Sequence, residues 1–389
     1  MWIRGVGKNS MQRMLDIMNC KALINMSNIH AGGGLQVAIS FVAELLKLEC
    51  KQSIYKVLIS TEVASNFDAD ELKTSGWAFE VYDTYGIKTL WSQLNKMQSQ
   101  YDVVFTLFGP KYTAFKAKKD IVGFAQPWIL SFDNPISQRM SFVERLKLKV
   151  KFGLQKWFFK RADHFVVELE HVQQSLAEQG VFPKESISVV HNTISSLYLN
   201  EALWQSIDLR IPEKQISIGF VTRDYLHKNI KILPKVAKLL NEQHSLPVKF
   251  YLSLNDEEWR NYSQSFGTYG ETVGALSVYQ CPTFYKKMDA VVFPSLLECF
   301  SATPLEALSM RKPLFASERG FVSDVCGEHA FYFDPLDADS IASVIAGYFN
   351  SCQKTAIELE VAREHVVSFS NAQQRAQKYL QIIEQYLEC

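Results

Sequence analysis

The run FPSLLECFSATPLEAL places Glu298 and Glu306 with seven residues between them, directly after the apolar stretch DAVVFPS. That stretch has strand character, and the residues after it have helical period. Where a strand end turns into a helix N-terminus, several backbone N–H groups lack intrahelical partners, and such groups suit an anionic phosphate. The loop Cys299 to Thr303, which contains Phe300, Ser301 and Ala302, is therefore an anion cradle. Glu298 at its start can accept hydrogen bonds from sugar hydroxyls, and Glu306, a turn into the helix, can reach the hydroxyls of a ribose. A glutamate pair at this spacing is also a common helix-surface feature, so the reading needs a second signal.

That signal is IGFVTRDYLHKN (218–229), where Arg223 and Lys228 lie in the loop after another strand. A guanidinium fork and an ammonium at the carboxyl ends of parallel strands would stabilise the charge that develops on a departing diphosphate. Taken singly these are ordinary surface charges. Together, the two loops fall at strand C-termini of one half, where open α/β sheets bind ligands. In the other half, AGGG (31–34) follows the strand KALINMSN and brings in Gly33 and Gly34, with His30 immediately before them. Three glycines are a weak signal alone and do not make the dinucleotide fingerprint.

Short apolar runs alternating with helical segments position these loops, which is the pattern of βα units and a parallel sheet. Six strands are expected in the first half, at 21–28, 55–60, 101–108, 120–125, 163–168 and 187–192. Six more follow at 215–221, 247–253, 271–276, 289–295, 312–317 and 330–335. AGGG reads as a tight loop, with a helix from Leu35 to Leu48 that shares Ala38, Phe41, Val42, Leu45 and Leu46 on one face. A polar interval around Ser206 to Lys214 sets the division near 208: a first domain of 1–208, a second of 209–370, and a final helix, 371–389, that could cross back to the first.

The 389 residues suffice for two cores, and 41 basic side chains balance 41 acidic ones, so no global field draws in nucleic acid. Seven scattered cysteines without metal-ligand spacing read as reduced thiols, and residues 1–20 lack the apolar stretch of a secretory signal, which together point to the cytoplasm. Between Arg139 and Arg161 there are eight basic residues against one acid, Glu144. On a helix, Arg145, Lys149, Lys156 and Lys160 share one face, while Val143, Leu146, Val150, Leu154, Trp157 and Phe158 occupy another. Such a helix either lies on an anionic membrane or packs on the core with a solvated basic back.

The two loops and their order resemble the retaining GT-B glycosyltransferases often called family 4, or glycosyl transferases group 1. Their C-terminal domain carries G-x-x-x-R-x-x-x-x-K and then E-G-F-G-x-P-x-x-E. Here these are GFVTRDYLHK, with Gly219, Arg223 and Lys228, and ECFSATPLE, with Glu298, Phe300 and Glu306. Cys299, Ser301 and Thr303 replace the family's two glycines and its proline. The resemblance implies a GT-B fold, α/β, with two Rossmann-like domains whose parallel sheets face each other across a cleft. It implies Arg223, Lys228 and Glu298 as catalytic residues, and Gly33, Gly34, Phe300, Ser301, Ala302, Thr303 and Glu306 as the donor-binding set. Many members carry a histidine at the end of a first-half strand; IVGFAQPW offers only Gln126 there, so His30 and Gln126 are the acceptor-side candidates.

The implied activity is retaining transfer of a sugar from a nucleotide-diphosphate sugar to a hydroxyl of a glycan or lipid-linked glycan, as in surface polysaccharide synthesis. The nucleotide sugar is a co-substrate, and no cofactor or metal is required. The implied place is the cytoplasm, with peripheral contact to the inner face of the cell membrane through 139–161. A GT-B-shaped epimerase or phosphorylase, or a non-catalytic sugar-binding protein, is the alternative.

Overall fold

The computed structural model describes residues 21–48, 54–351, 355–369 and 371–387. The reading of residues 1–20, and four of the cysteines, lie outside them; Cys281, Cys299 and Cys326 are buried thiols in no disulfide.

The chain divides into two compact units. One takes the chain up to Leu130, Leu146–Asn192 and the chain from Ala372 onward; the other takes Ser131–Arg145 and Thr193–Asn371. In the first, seven strands are ordered β3-β2-β1-β4-β5-β6-β7: β1 (Ala22–Met26), β2 (Tyr55–Ile59), β3 (Ala78–Val81), β4 (Val103–Thr106), β5 (Lys119–Gly123), β6 (His164–Val167) and β7 (Ile187–Val189). Every pairing is parallel. Central strands such as β1 and β2 are buried at all five positions, as a sheet covered on both faces requires. β3 is the strand the sequence pattern missed: it is an edge strand with no buried position, so no apolar run marks it.

The second unit has six parallel strands in the order β10-β9-β8-β11-β12-β13. They are β8 (Ile216–Phe220), β9 (Val248–Leu252), β10 (Gly270–Thr272), β11 (Ala290–Phe293), β12 (Leu314–Ser317) and β13 (Phe331–Phe333). Both are Rossmann-like sheets with the strand order reversing beside the first strand of the unit, which is the topological switch point.

Two details differ from the sequence reading. The helix after β1 begins at Gly32 rather than Leu35, so Gly33 and Gly34 form its first turn instead of a loop. Gly32 has φ +70°, a conformation glycine adopts at little cost, and it lets the backbone turn from the strand end straight into the helix. The units divide at Asn192/Thr193, ahead of the polar interval near 208. Residues 193–208 belong with the second unit because Leu197 and Tyr198 are buried, Tyr198 facing Tyr285 at 6.1 Å between ring centroids. The final helix, Ala372–Gln385, buries Ala376, Tyr379, Ile382 and Ile383 in the core of the first unit, with Tyr379 against Phe41 and Phe105.

Candidate functional site

In the second unit, β8 and β11 are hydrogen-bonded neighbours, so the loops that follow them begin side by side. Gly219 on β8 is a packing requirement: a β-carbon there would lie 2.6 Å from Met288 Cγ and 2.9 Å from a Phe284 ring carbon. The motif's glycine thus lets the helix Cys281–Lys287 approach the sheet. The loops are tied together where the Leu296 N–H donates to the His227 carbonyl at 2.8 Å. Just beyond, Lys228 Nζ donates to Glu298 Oε1 at 2.6 Å, both side chains nearly buried, with the ammonium 5.4 Å from the centre of the Phe293 ring. Lys228 is aimed by a short 3-10 turn, Leu226–Lys228, that Asn229 closes at φ 56°, while the Asn229 amide donates to Pro335 O at 2.7 Å.

Arg223 is placed differently. Its Nε donates to Glu258 Oε1 at 2.8 Å, and the guanidinium is half exposed. Burial works to raise the Glu258 pKa, but hydrogen bonds from Arg223 and from the Asn255 and Asp224 backbone outweigh it and hold the carboxyl below the usual range. Glu258 is fixed by a capping box with Asn255 at the start of Asp256–Arg260. Engagement of Nε leaves the outer edge of the fork available to an anion.

The helix Ala302–Ser309 follows β11, and Ser301 is its N-cap in extended conformation with no side-chain cap. Ser301 and Thr303 are buried, and Phe300 and Ala302 partly so. Since Pro304 has no N–H, the first-turn donors are the amides of Ala302 and Thr303. Glu306, partly exposed, accepts from the Tyr285 hydroxyl at 2.8 Å. Burial pushes its carboxyl pKa up, against the hydrogen bonds of Tyr285 and Tyr198 and the charge of Lys228. Lys228, Glu298 and Glu306 are therefore brought together, with Arg223 pinned separately by Glu258.

In the first unit, His30 lies between two acceptors. Nδ1 is 2.6 Å from Glu62 Oε2, Nε2 is 2.9 Å from Thr84 O, and Asp83 Oδ1 is 3.9 Å from Nδ1. The ring stacks on Tyr85 at 4.3 Å. Burial lowers its pKa, but the Thr84 and Glu62 hydrogen bonds and the carboxylate charges prevail and raise it. Gly33 is exposed at the first turn of the neighbouring helix, and Gly34 lies next to Phe108. Gln126, past the end of β5, donates instead to Gln155 Oε1 at 3.1 Å, and Gln155 donates to the Tyr112 hydroxyl at 3.1 Å.

The sequence reading did not find Glu258, Tyr198, Tyr285, Glu62, Asp83 or Thr84. Glu258 had a readable signal in the N-x-x-E of NDEE, a helix-capping pattern. The others are set by packing.

Residues 205–356 match the family described as Glycosyl transferases group 1. The O-antigen chain mannosyltransferase RfbU of Salmonella typhimurium is 25% identical over 210 residues, 53% of this chain and 55% of that protein. The chain thus matches about half the length of this curated relative. Among solved structures, a glycosyltransferase from Rickettsia africae superposes with TM-score 0.64 at 16% identity, over 95% of this chain and 99% of that one. HepE of Anabaena, in complex with UDP and glucose, gives 0.64 at 15% identity over 94% and 100%. The fold is that of the GT-B glycosyltransferases, two Rossmann-like domains with parallel sheets. Residues 205–356 are thus similar to the glycosyl transferases group 1 family, and the whole chain shares the fold of those enzymes.

Proposed function

We propose that the protein is a retaining glycosyltransferase that moves a sugar from a nucleotide-diphosphate donor to a hydroxyl of a glycan or lipid-linked glycan in surface polysaccharide synthesis. The observation that carries this is the Lys228–Glu298 pair at 2.6 Å, set beside an uncapped helix N-terminus and within the electrostatic reach of Glu306. Lys228, the outer edge of Arg223 and the amides of Ala302 and Thr303 stabilise the departing diphosphate. Glu298 accepts from the sugar hydroxyls and Glu306 from the ribose. The acceptor hydroxyl attacks on the face the diphosphate leaves, its proton passes to that phosphate, and anomeric configuration is retained. These cations supply the positive charge the leaving group needs, and the reading gives no metal a role. His30 and Gln126 serve the acceptor from the first unit.

Because a relative is a mannosyltransferase and a fold neighbour holds UDP and glucose, GDP-mannose and UDP-glucose are the first donors to try. Labelled donor is incubated with protein and with lipid-linked or free glycan acceptors, and the anomer of the product is read by NMR. An α-linked product from an α-donor supports the proposal. Inverted product overturns retention, epimerised donor favours the epimerase, and binding without turnover favours a sugar-binding protein.

A second surface favours an acceptor held at a membrane. On the helix Phe142–Phe159, Val143, Leu146, Val150 and Trp157 are each at least half exposed, and Phe142 is 80% exposed. Phe152, Phe158 and Phe159 face the core instead, so the outward apolar stripe is not what holds the helix in place. Lys147, Lys149 and Lys151 flank it in solvent. No helix among the described residues is long and apolar enough to cross a membrane. We propose that this face rests on the anionic inner surface of the cell membrane, apolar side chains entering the interface and lysines meeting headgroups. Vesicles with anionic lipid should sediment the protein and neutral ones should not.

A further inference from the structure

The Glu306 carboxylate, on the helix Ala302–Ser309, meets aromatic hydroxyls that no sequence pattern connects with it. Tyr285 and Cys281, one turn apart on Cys281–Lys287, face it from one side. The Tyr285 hydroxyl donates to Glu306 Oε2 at 2.8 Å and also hydrogen-bonds Thr303. Tyr198 comes from the 3-10 turn Ser196–Leu199 and hydrogen-bonds both Glu306 and the Cys281 thiol. Both tyrosines are buried. Lys228 reaches Glu306 through its charge from the loop after β8. Beyond this helix, Arg311 and Arg363 are taken up by Glu360.

We propose that Tyr285 and Tyr198 are positioning residues of the donor site, holding the Glu306 carboxylate so that its remaining lone pairs accept the hydroxyls of the nucleotide ribose. The inference rests on the assignment of Glu306 to the ribose. A carboxylate has about four acceptor sites, and two phenols leave two of them for a diol. Burial among aromatic rings favours the protonated acid, which would lose acceptor capacity; the phenolic donors oppose that, because they bind the ionised form better. Neither tyrosine can itself supply a base, since burial drives both phenols well above their ordinary range. Thr303 ties the arrangement to the phosphate loop, so the ribose and phosphate contacts share one support.

The test is calorimetry with UDP and GDP on wild type, Glu306→Gln, Tyr285→Phe and Tyr198→Phe, each over a range of pH and each with the 2′- and 3′-deoxy nucleotides. Tyr285→Phe should weaken the ribonucleotide about tenfold, the loss of one hydrogen bond to a charged acceptor. Wild-type affinity should fall as pH drops through the raised Glu306 pKa. Loss of a phenolic donor raises that pKa further, so the fall should move to higher pH in both tyrosine variants. Deoxynucleotides should bind wild type and variants alike, and kcat at saturating donor should stay close to wild type while KM rises. If Glu306→Gln binds ribonucleotide as wild type does, or wild type binds neither nucleotide, the ribose reading falls and takes the inference with it. If Glu306→Gln weakens binding while both tyrosine variants keep wild-type affinity and pH midpoint, only the positioning inference is overturned. Should Tyr285→Phe not fold, Tyr198→Phe decides alone.

Discussion

Replacing Lys228 by Met separates two roles that the 2.6 Å contact with Glu298 makes inseparable by inspection. The side chains are 13% and 10% exposed, so removing the ammonium leaves a carboxylate nearly out of water with no counter-charge. Breaking one side of a buried pair costs about 3–5 kcal/mol, and the residual exposure argues for the lower end, about 3 kcal/mol. For a unit of this size each kcal/mol lowers Tm by about 2–4 °C, giving a fall of about 6–12 °C. Loss of a preorganised donor to the departing diphosphate should separately lower kcat by at least ~100-fold, about 2.7 kcal/mol in the barrier. Adding Glu298→Gln removes the stranded charge and should recover most of the Tm without recovering kcat. Arg223→Ala is the counterpart: its guanidinium is half exposed, so stability should move by no more than about 0.5 kcal/mol while kcat falls similarly. The assays are nucleotide release at saturating donor and thermal unfolding. Wild-type kcat in Lys228→Met and Arg223→Ala would refute the leaving-group role, and an unchanged Tm in Lys228→Met would refute the burial argument.

Three other outcomes follow from the geometry. Changing Lys149, Lys156 and Lys160 together to Glu should abolish binding to anionic vesicles while leaving Tm within a few degrees, and retained binding would reduce the helix to a solvated surface. His164, buried between Ser188 and Tyr386, has its pKa lowered by burial to about 4, below the unfolded value of 6.5. Its contribution is thus full above pH 6.5 and lost as pH falls through about 4, so denaturant unfolding should show an acid limb of about 3 kcal/mol that His164→Gln flattens. His30 has acceptors at both ring nitrogens, so both must carry protons; NMR should find it titrating above 6.5, and above its value in Glu62→Gln, with its stabilising contribution lost as pH rises through that raised pKa. A midpoint at or below 6.5 would show the ring to be neutral.

What was legible in the sequence, and what was not, divides along one physical line. All twelve expected strands are present, the central ones legible because parallel strands covered on both faces are apolar runs; the edge strands β7, β10 and β13 each keep one buried position, whereas β3, also at an edge, has none. The loops with Arg223, Lys228 and Glu298, and the helix with Glu306, were readable because the strand ends they follow are fixed by local pattern. Gly219 was readable as a motif position, but its reason, the close approach of Met288 and Phe284, was not.

Partners drawn from distant segments were not readable at all. His30, Glu62 and Asp83 follow β1, β2 and β3, which lie side by side in the sheet, and each stands two to four residues beyond its strand end. Once the strand order is known, their meeting is nearly forced, since three adjacent parallel strands deliver their loops to one edge; before it is known, nothing relates positions 30, 62 and 83. Tyr198 and Tyr285 show the same dependence in the second unit, because their apolar bodies fit the core pattern and only the fold reveals that their hydroxyls reach a carboxylate. Chemistry written within one short segment is visible in a sequence, whereas the groups that hold that chemistry in its ionised and oriented form come from distant loops, turns and helices, and only the fold decides which.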